Sequence, residues 1–364
     1  MSDPGRFASA LLRWYRRHRR DLPWRRTRDP YAILVAETML QQTQVATVIP
    51  YYRRFIERFP TVQALARAKL DDVLRLWAGL GYYSRARNLH AAAAEIIASH
   101  GGQVPASPAE LRELPGVGPY TAGAIASIAF DQRAPVVDGN VARVMARLFA
   151  ITGDIKSGRV RTRLWSLAES VLPRAQCGEF NQALMELGST VCTPVAPACP
   201  VCPVRRHCRA RQRGWVDRIP RSARRARSVV ETHVVAAIRG PAGWLFRRRP
   251  QRGLWGGLWE LPSVVSDGRP PVTQLQELVA EQVGAAARLT PEPFHCGRHV
   301  LTHRTIHFVC HLAVGVRSPR RPGTIWRELD DINGLGLSRA MQRIVDALRK
   351  QSGRRLGDRQ AASA

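Results

Sequence analysis

Lysine is almost missing from this chain, with only Lys69, Lys156 and Lys350 among 56 basic residues. Acidic residues are scarce too, since there are only 28 of them, and the formal net charge is +28. Such a charge favours a polyanionic partner, because positive potential attracts phosphate backbones. An arginine- and alanine-rich composition is also what a base-composition bias in the genome would produce, and weak association with a membrane or RNA stays open on charge alone.

Long apolar runs are missing as well. No stretch of about 18 predominantly apolar residues occurs, so no membrane span is predicted. The start of the chain lacks both the apolar core and the cleavage pattern of a signal peptide. Cysteine is scarce, at seven in 364 residues, which excludes a secreted disulfide scaffold. We therefore expect a soluble, cytoplasmic protein.

The length of the chain predicts two domains. Residues 1–215 carry apolar residues at helical spacing, for example in "YAILVAETMLQQTQVATVI", between Gly, Pro and Asp breaks. Residues 216–228 are rich in arginine and predict a solvated linker. Residues 229–350 combine β-branched, partly alternating segments with the helix "PVTQLQELVAEQVG", which indicates a smaller α+β domain. Residues 351–364 predict a disordered tail.

Four cysteines crowd into one short segment. Cys192, Cys199, Cys202 and Cys208 follow the spacing C-x6-C-x2-C-x5-C. Four nearby thiolates can hold an iron–sulfur cluster or a structural zinc ion, although zinc ribbons usually separate two C-x2-C pairs. The other cysteines stand alone, and we expect them to be buried apolar side chains: Cys177, Cys296 and Cys310.

A glycine-rich turn lies between two apolar helical stretches at "LPGVGPY". Gly116 and Gly118 can take positive φ and let backbone N–H groups approach a phosphate, beside the positive end of the next helix. Such a hairpin would hold the nucleic-acid backbone without reading its sequence. Short helical hairpins with glycine turns are also common structural features, so the motif alone is only moderately specific.

Two carboxylates stand out. Asp138 in "VVDGNVARV" is predicted to be the N-cap of a helix, which by itself needs no further role. Glu37 lies among Ile33, Leu34 and Leu40 in a helical stretch. A carboxyl group there would be desolvated and its pKa raised, which suits a general acid, unless the side chain faces solvent or is paired.

The cysteine spacing resembles the [4Fe-4S] loop of the helix-hairpin-helix DNA glycosylases. Within that superfamily, "ETMLQQTQ" and "GLGYYSRARNL" resemble the adenine DNA glycosylase (MutY) family. The resemblance covers about residues 1–350 and is stronger before the linker than after it. It implies a mostly α-helical, helix-hairpin-helix glycosylase domain with a [4Fe-4S] loop at 192–208, followed by a smaller α+β, Nudix-like domain.

The resemblance also implies catalytic roles. Glu37 would protonate a flipped adenine at N7, and ionised Asp138 would stabilise or capture the oxocarbenium-like sugar. Asn140 and Tyr120 would hydrogen-bond around Asp138 and the reacting sugar. Bifunctional relatives carry a nucleophilic lysine where this chain has Tyr120, so the resemblance implies a monofunctional enzyme that forms no imine.

Further site residues follow from the same resemblance. Gln42 and Tyr82 would enter the duplex beside the orphaned partner base. Gly116 and Gly118 would hold the DNA backbone. Four residues match positions that line the adenine pocket of the family: Trp24, Arg25, Leu40 and Gln182. Ordinary helix packing is the alternative for Trp24 and Leu40.

The second domain resembles the Nudix-like domain of the family, chiefly through "GLWGGLWELP". A working Nudix box needs an R-E-x-x-E-E run, whereas this chain offers only Glu277 and Glu281, which argues against a pyrophosphohydrolase. A Phe-Ser-His loop that inspects 8-oxoguanine in the family matches "HVLTHR" here. Thr302 and His303 keep the hydroxyl and the imidazole, while Leu301 replaces the aromatic residue.

The expected function is excision of adenine paired with 8-oxoguanine or guanine in double-stranded DNA, by a monomer with a [4Fe-4S] cluster. "TPVAPA" in the cysteine loop lacks the basic residues of relatives, so phosphate contacts are expected from Arg205, Arg206 and Arg209. The alternatives are a thymine- or pyrimidine-directed glycosylase of the superfamily and a non-catalytic iron–sulfur protein that binds DNA.

Overall fold

The computed structural model describes residues 3–221, 228–284, 287–314 and 319–361, the last nine of them by backbone alone. Part of the predicted linker, residues 222–227, therefore lies outside the described residues. The chain divides into two compact units, Met1–Ala68 with Arg85–Arg224 and Lys69–Ser84 with Arg225–Ala364. The sequence boundary near residue 215 did not predict that residues 69–84 pack with the second unit.

The first unit is built from helices, which begin and end as follows: α1 Pro4–His18, α2 Pro30–Leu40, α3 Val45–Arg58, α4 Val62–Ala66, α6 Ser84–His100, α7 Pro108–Glu113, α8 Pro119–Phe130, α9 Gly139–Phe149, α10 Gly158–Val171, α11 Cys177–Thr190 and α12 Arg209–Gln212. Short 3-10 turns span Pro23–Arg25, Cys199–Val201, Arg205–His207 and Val216–Arg218. The main core lies among α1, α8, α9, α10 and α11, around side chains such as Phe7, Met145 and Phe180.

Small residues bring the central helices close together. A Cβ atom on Gly178 of α11 would lie 2.3 Å from the carbonyl oxygen of Ser127 on α8, so only glycine fits at this crossing. α2 is buried along its whole length from Tyr31 to Met39, which includes Glu37. A helix that is apolar on all sides belongs in a protein interior, and here it carries a carboxyl group into that interior.

The stretch "YAILVAETMLQQTQVATVI" is not one helix. α2 ends at Leu40 and α3 begins at Val45, with Gln42 between them in left-handed backbone at φ 56°. The apolar spacing continues across the break, so periodicity alone cannot locate it. The physical reason is the side chain of Arg85, which binds the carbonyl groups at the end of α2.

The described residues of the second unit form a mixed sheet with flanking helices and a 3-10 turn at Leu329–Asp331. The helices and strands have these bounds: α5 Leu70–Trp77, β1 Val229–Gly240, β2 Gly243–Arg248, β3 Trp259–Glu260, β4 Ser263–Val265, α13 Pro271–Val283, β5 Arg288–Leu289, β6 His295–Val300, β7 Arg304–Val314, β8 Thr324–Arg327 and α14 Arg339–Ala361. The strand order is β3-β2-β1-β7-β5, while β4 pairs with β1, β6 with β7 and β8 with β2. β1 and β7 run parallel, with Val229 opposite Arg304 and Ile238 opposite Ala313.

Alternation along β1 separates two cores. Val235 and Ala237 face the core that includes α14, whereas Val234, Ala236 and Ile238 face the core that includes α13. α14 continues over residues 351–361, for which the sequence predicts disorder, although Gly353 and Gly357 disfavour a helix there.

Two further sequence expectations concern the lone cysteines and the membrane. Cys177 and Cys310 are buried as predicted, but the prediction was wrong for Cys296, which is exposed on β6 near the edge of the sheet. Within the described residues, no helix is both long enough and apolar enough to cross a membrane.

Candidate active site

One large cavity opens in the helical unit, with a volume of about 960 Å3. Its walls come from α2, α8, α11, the start of α9 and the 3-10 turn at Pro23–Arg25. The cavity brings together eight of the residues singled out in the sequence: Glu37, Tyr120, Asp138, Asn140, Trp24, Arg25, Leu40 and Gln182. Gln42, Gly116 and Gly118 also line it, so the duplex-facing residues predicted for this unit lie at the same cavity.

Glu37 is a buried acid in the middle of α2, with 5% of its surface exposed. The hydroxyl of Tyr120 donates to its Oε2 at 2.7 Å. Burial raises the pKa of Glu37 to about 7, aided by the charge of Asp138 and opposed by the Tyr120 hydrogen bond and the charge of Arg25. Near neutral pH the carboxyl group is therefore partly protonated and can donate a proton.

Asp138 is the N-cap of α9, as the sequence predicts. Its Oδ1 accepts from the backbone N–H of Val141 at 2.7 Å, and its Oδ2 accepts from the Asn140 side-chain amide at 3.1 Å. Burial raises the pKa of Asp138, while these hydrogen bonds favour the charged form. Asp138 is thus held by its partners with both oxygens oriented at the cavity wall.

Tyr120 is the neutral hydrogen-bond donor of the site. Its hydroxyl lies 2.7 Å from Glu37 Oε2 and 3.2 Å from Met185 Sδ. Burial, the carboxylates Glu37 and Asp138, and the hydrogen bond to Glu37 all raise the pKa of the phenol. No lysine is among the described residues that line this cavity, so the side chains facing it supply no amine nucleophile.

The side of the cavity that holds Trp24, Arg25 and Gln182 is packed against two tyrosine rings. Trp24 is buried and meets the Tyr52 ring edge-on, with centroids 5.4 Å apart. The guanidinium of Arg25 lies 5.5 Å from the centroid of the Tyr15 ring. Tyr15 in turn donates its hydroxyl to the Gln182 side-chain oxygen at 3.2 Å, so the amide nitrogen is the remaining donor end of Gln182.

Sequence reasoning missed several charged residues at this site. Glu186 on α11 is fully buried, and it binds both Arg20 and Arg25 in the cavity wall. Arg85 is buried beneath the α2–α3 break. The sequence around Glu186 and Arg85 gives no local signal, because each is paired with residues far along the chain.

An arginine connects Asp138 to the cysteine loop. Asn140 accepts from Arg143 at 2.8 Å, and Arg143 also donates to the backbone oxygens of Cys192 and Gly188 at 2.8 and 2.7 Å. Arg143 is buried, so its charge is stabilised by these three acceptors. The orientation of Asn140, and through it Asp138, therefore depends on the start of the cysteine loop.

The four motif cysteines surround a second, smaller cavity together with Arg147. None of these four cysteines forms a disulfide, and Arg147 donates to the sulfur of Cys192 at 3.3 Å. In the described parts of the chain, no three His, Cys, Asp or Glu side chains converge tightly enough to hold a single metal ion. Four cysteine side chains around a cavity, with a cation donating to one sulfur, fit an anionic metal centre held by thiolates.

The hairpin between α7 and α8 is exposed at both glycines. Gly116 has φ 77°, and a Cβ there would lie 2.6 Å from Asn88 Cβ, so glycine is required on both counts. The expectation of positive φ at Gly118 was wrong. Gly118 is the N-cap of α8 at φ −88°, and no atom lies within 4 Å of the position a Cβ would take. The backbone at Gly118 is therefore open to an approaching ligand.

The remaining site residues belong to the second unit. Tyr82 is 42% exposed in left-handed backbone at φ 49°, and its hydroxyl lies 2.8 Å from Thr302 Oγ1. His303 is exposed beside Thr302. Leu301 turns inward and packs on the core that includes α14, so the residue that replaces the aromatic side chain is partly buried. In the helical unit, the three arginines expected at phosphates are exposed: Arg205, Arg206 and Arg209.

Comparisons with known proteins agree with both units. Residues 35–170 match the HhH-GPD superfamily of base excision DNA repair proteins, and residues 233–347 match the NUDIX domain. The chain is 39% identical to the adenine DNA glycosylase of Rattus norvegicus, over 94% of this chain and 78% of that protein. It is 39% identical to the adenine DNA glycosylase of Homo sapiens, over 93% of this chain and 73% of that protein. A solved thermostable thymine-DNA glycosylase is similar at 32% identity with a TM-score of 0.52, covering 57% of this chain and 95% of its own.

Proposed function

Since this chain belongs to the adenine DNA glycosylase family of base excision repair enzymes, we propose that it removes adenine paired with 8-oxoguanine or guanine and leaves an uncut abasic site. The observation that carries the proposal is one cavity with two carboxyl groups in different environments. Glu37 is buried in an apolar helix with a pKa of about 7, and Asp138 accepts two hydrogen bonds that favour its charged form. Such a pair separates the roles of acid and anion.

The reaction follows from those roles. Adenine leaves the base stack and enters the cavity, at a cost of a few kcal/mol for unstacking. Glu37 donates its proton to N7, and the C1′–N9 bond breaks with its electron pair going to adenine. Asp138 stabilises the positive sugar. Water then attacks C1′ and returns a proton to Glu37, which restores the enzyme.

Asn140 and Tyr120 support these two groups. The Tyr120 hydroxyl occupies one oxygen of Glu37, which leaves the other free to carry the proton. Asn140 holds one oxygen of Asp138. Trp24, Arg25, Leu40 and Gln182 form the walls against which the flipped adenine would pack, with polar groups confined to one side.

The DNA would be gripped along one surface of the helical unit. Gly116 and Gly118 offer backbone N–H groups at the start of α8, and Gln42 is exposed at the cavity mouth. Arg205, Arg206 and Arg209 add positive charge beside the cysteine loop. In the second unit, Tyr82 and Thr302 would meet the orphaned 8-oxoguanine, with His303 beside them.

We assign a [4Fe-4S] cluster to Cys192, Cys199, Cys202 and Cys208. The surrounding cavity and the hydrogen bond from Arg147 to one sulfur fit an anionic cluster held by four thiolates. When bound, the cluster would supply structural cross-linking rather than reaction chemistry at the base. It would fix the loop whose start holds Arg143 and thereby Asn140.

The test is single-turnover excision from a duplex with one adenine opposite 8-oxoguanine. Matched duplexes carry thymine in place of that adenine, or guanine in place of the 8-oxoguanine. We expect strand breaks only after alkali and only with adenine. Release of thymine at a comparable rate would favour the thymine-directed alternative, and no release of either base would favour a binding protein.

Borohydride trapping tests the monofunctional assignment separately. An imine between enzyme and sugar is reduced to a stable covalent adduct, so an amine nucleophile would be captured on the substrate. Because Tyr120 stands in place of a lysine, we expect no efficient adduct with the adenine duplex. Trapping comparable to that of a lysine-dependent glycosylase would reject this part of the proposal.

A further inference from the structure

Glu186 is a buried carboxylate at the wall of the catalytic cavity that the reaction above does not use. It lies on α11 with no exposed surface. Burial acts to raise its pKa, but hydrogen bonds and charge from Arg20 and Arg25 outweigh burial and lower the pKa to about 2. Glu186 is therefore ionised at every pH at which the enzyme would work.

All acceptor positions of Glu186 are filled from within the protein. Oε1 accepts from the backbone N–H and the Nε of Arg20, at 3.0 and 2.9 Å. Oε2 accepts from Nη2 of Arg20 and from Nη2 of Arg25, both at 2.7 Å. A carboxylate has about four lone-pair sites, so none is left for a base. Any effect of Glu186 on the reaction must pass through the two arginines.

Arg25 is fixed on three sides. Its Nη2 binds Glu186, its Nη1 donates to the backbone oxygen of Arg20 at 3.1 Å, and its guanidinium lies over the Tyr15 ring. Only 10% of the Arg25 side chain is exposed. Arg20 is fixed as well, because it donates to Ser189 at 2.8 Å in addition to Glu186. At this part of the cavity wall, Glu186 thus holds two positioned cations, Arg20 and Arg25.

We propose, resting on the function proposed above, that Glu186 is a positioning residue: it holds Arg20 and Arg25 as fixed hydrogen-bond donors in the adenine pocket and keeps the Arg25 cation from pairing with the acid Glu37. If Glu186 only joined the Arg20–Arg25 segment to α11 structurally, its removal would not change the pKa of Glu37. The distinction can be measured, because Arg25 already acts on Glu37 through its charge.

The groups that face Glu37 are few. α8 contributes Tyr120, the start of α9 contributes Asp138, and the 3-10 turn contributes Arg25. From α3, which also packs on α2, Val45 lines the cavity and is not titratable. Arg25 is thus the one cation acting on Glu37 among the described groups, and Glu186 is its anionic partner.

Removing the charge of Glu186 should therefore act on the proton of Glu37. In Glu186→Gln, Arg25 is no longer neutralised and stabilises the charged form of Glu37. An opposite charge nearby typically lowers a carboxyl pKa by about 1–3 units. We expect the alkaline limb of the excision profile to move down by about one pH unit, which is a tenfold lower rate at a fixed pH above the limb.

The chain offers a matched control on the same helix. Glu179 on α11 accepts two bonds from Arg16, at 2.9 and 2.7 Å, but neither residue lines the cavity. Glu179→Gln removes an equivalent arginine pair and should leave the profile unchanged. Single-turnover rate constants for the adenine:8-oxoguanine duplex would be measured with full-length, cluster-loaded protein from about pH 5.5 to about pH 9.

A second variant with the opposite expected shift of the alkaline limb keeps the proposal testable if Glu186→Gln does not fold. Arg25→Gln removes the cation and should move the same limb upward, and Arg25→Gln combined with Glu186→Gln should abolish the downward shift. An alkaline limb that lies at the same pH as in wild type, in Glu186→Gln or in Arg25→Gln, would overturn the proposal whatever the absolute rates of the variants. Wild type that excises no adenine would instead overturn the proposed function.

Discussion

At the scale of single residues, the site depends on giving two carboxyl groups different environments. Glu37 is 5% exposed and accepts a hydrogen bond from Tyr120, but burial dominates and raises its pKa to about 7. Asp138 accepts from Val141 and Asn140, which favours its charge although burial raises its pKa. Residue type alone does not determine which group is acid and which is anion.

The first prediction is a bell-shaped pH profile. The acid must be protonated, so the single-turnover rate constant should fall above about pH 7, approaching tenfold per pH unit as Glu37 loses its proton. At the other end, the rate should rise with pH as Asp138 ionises. Excision rates measured across this range on one duplex give both limbs. A rate that stays constant from neutral pH into the alkaline range would contradict the role of Glu37.

Sequence reasoning found Glu37 and Asp138 but not Glu186, and the reason is physical. Glu37 interrupts an apolar segment and Asp138 precedes a helix, and both are local signals. Glu186 is separated from Arg20 by 166 residues and from Arg25 by 161. Its burial depends on partners that only the folded chain brings together, so the sequence around it predicts nothing more than a helix.

At the scale of elements, the break between α2 and α3 is the feature that positions the cavity mouth. Nη1 of Arg85 binds the carbonyl oxygens of Thr38, Met39 and Gln41 at 3.0, 2.7 and 2.6 Å. A buried cation at the carboxyl end of a helix satisfies carbonyl groups that have no partner within the helix. The exposed Gln42 is thereby held in left-handed backbone directly above the cavity.

The second prediction concerns Arg85→Lys. The planar guanidinium of Arg85 donates to three carbonyl oxygens and to the hydroxyl of Thr43, and a lysine ammonium group cannot make all four contacts. The turn at Gln42 should therefore loosen. We expect the free energy of unfolding to fall by about 2 kcal/mol in urea titrations, with weaker duplex binding. Arg163→Lys, exposed on α10, is the matched control. Unchanged stability and unchanged binding in Arg85→Lys would contradict this account of the break.

At the scale of the whole molecule, periodicity predicted a helical part and an α+β part, and the structure has both. It did not predict that residues 69–84 pack with the sheet unit. Asp71 is paired with Arg248, and Tyr82 meets Thr302 across 220 residues of sequence. Pairings this distant leave no periodic pattern, which is why the boundary at residue 215 differs from the observed division.

The third prediction uses the contact between Tyr82 and Thr302. If the pair inspects the lesion, Tyr82→Phe and Thr302→Val should each reduce the preference for 8-oxoguanine over guanine opposite adenine. The double variant should lose less than the sum, because both changes remove the same hydrogen bond, whose net contribution is about 0.5–1.5 kcal/mol. Binding constants for the two duplexes measure this, and strictly additive losses would contradict a shared contact.

The most direct test of the account is Glu37→Gln, which keeps the shape of the side chain and an oxygen for the Tyr120 hydroxyl but removes the acid. Glu95→Gln, exposed on α6, is the matched control. Single-turnover excision from the adenine:8-oxoguanine duplex should fall on the order of a thousandfold in Glu37→Gln, with duplex binding retained. The control should match wild type. A Glu37→Gln enzyme that excises adenine at close to the wild-type rate would show that Glu37 is not the proton donor and that the cavity works by another route.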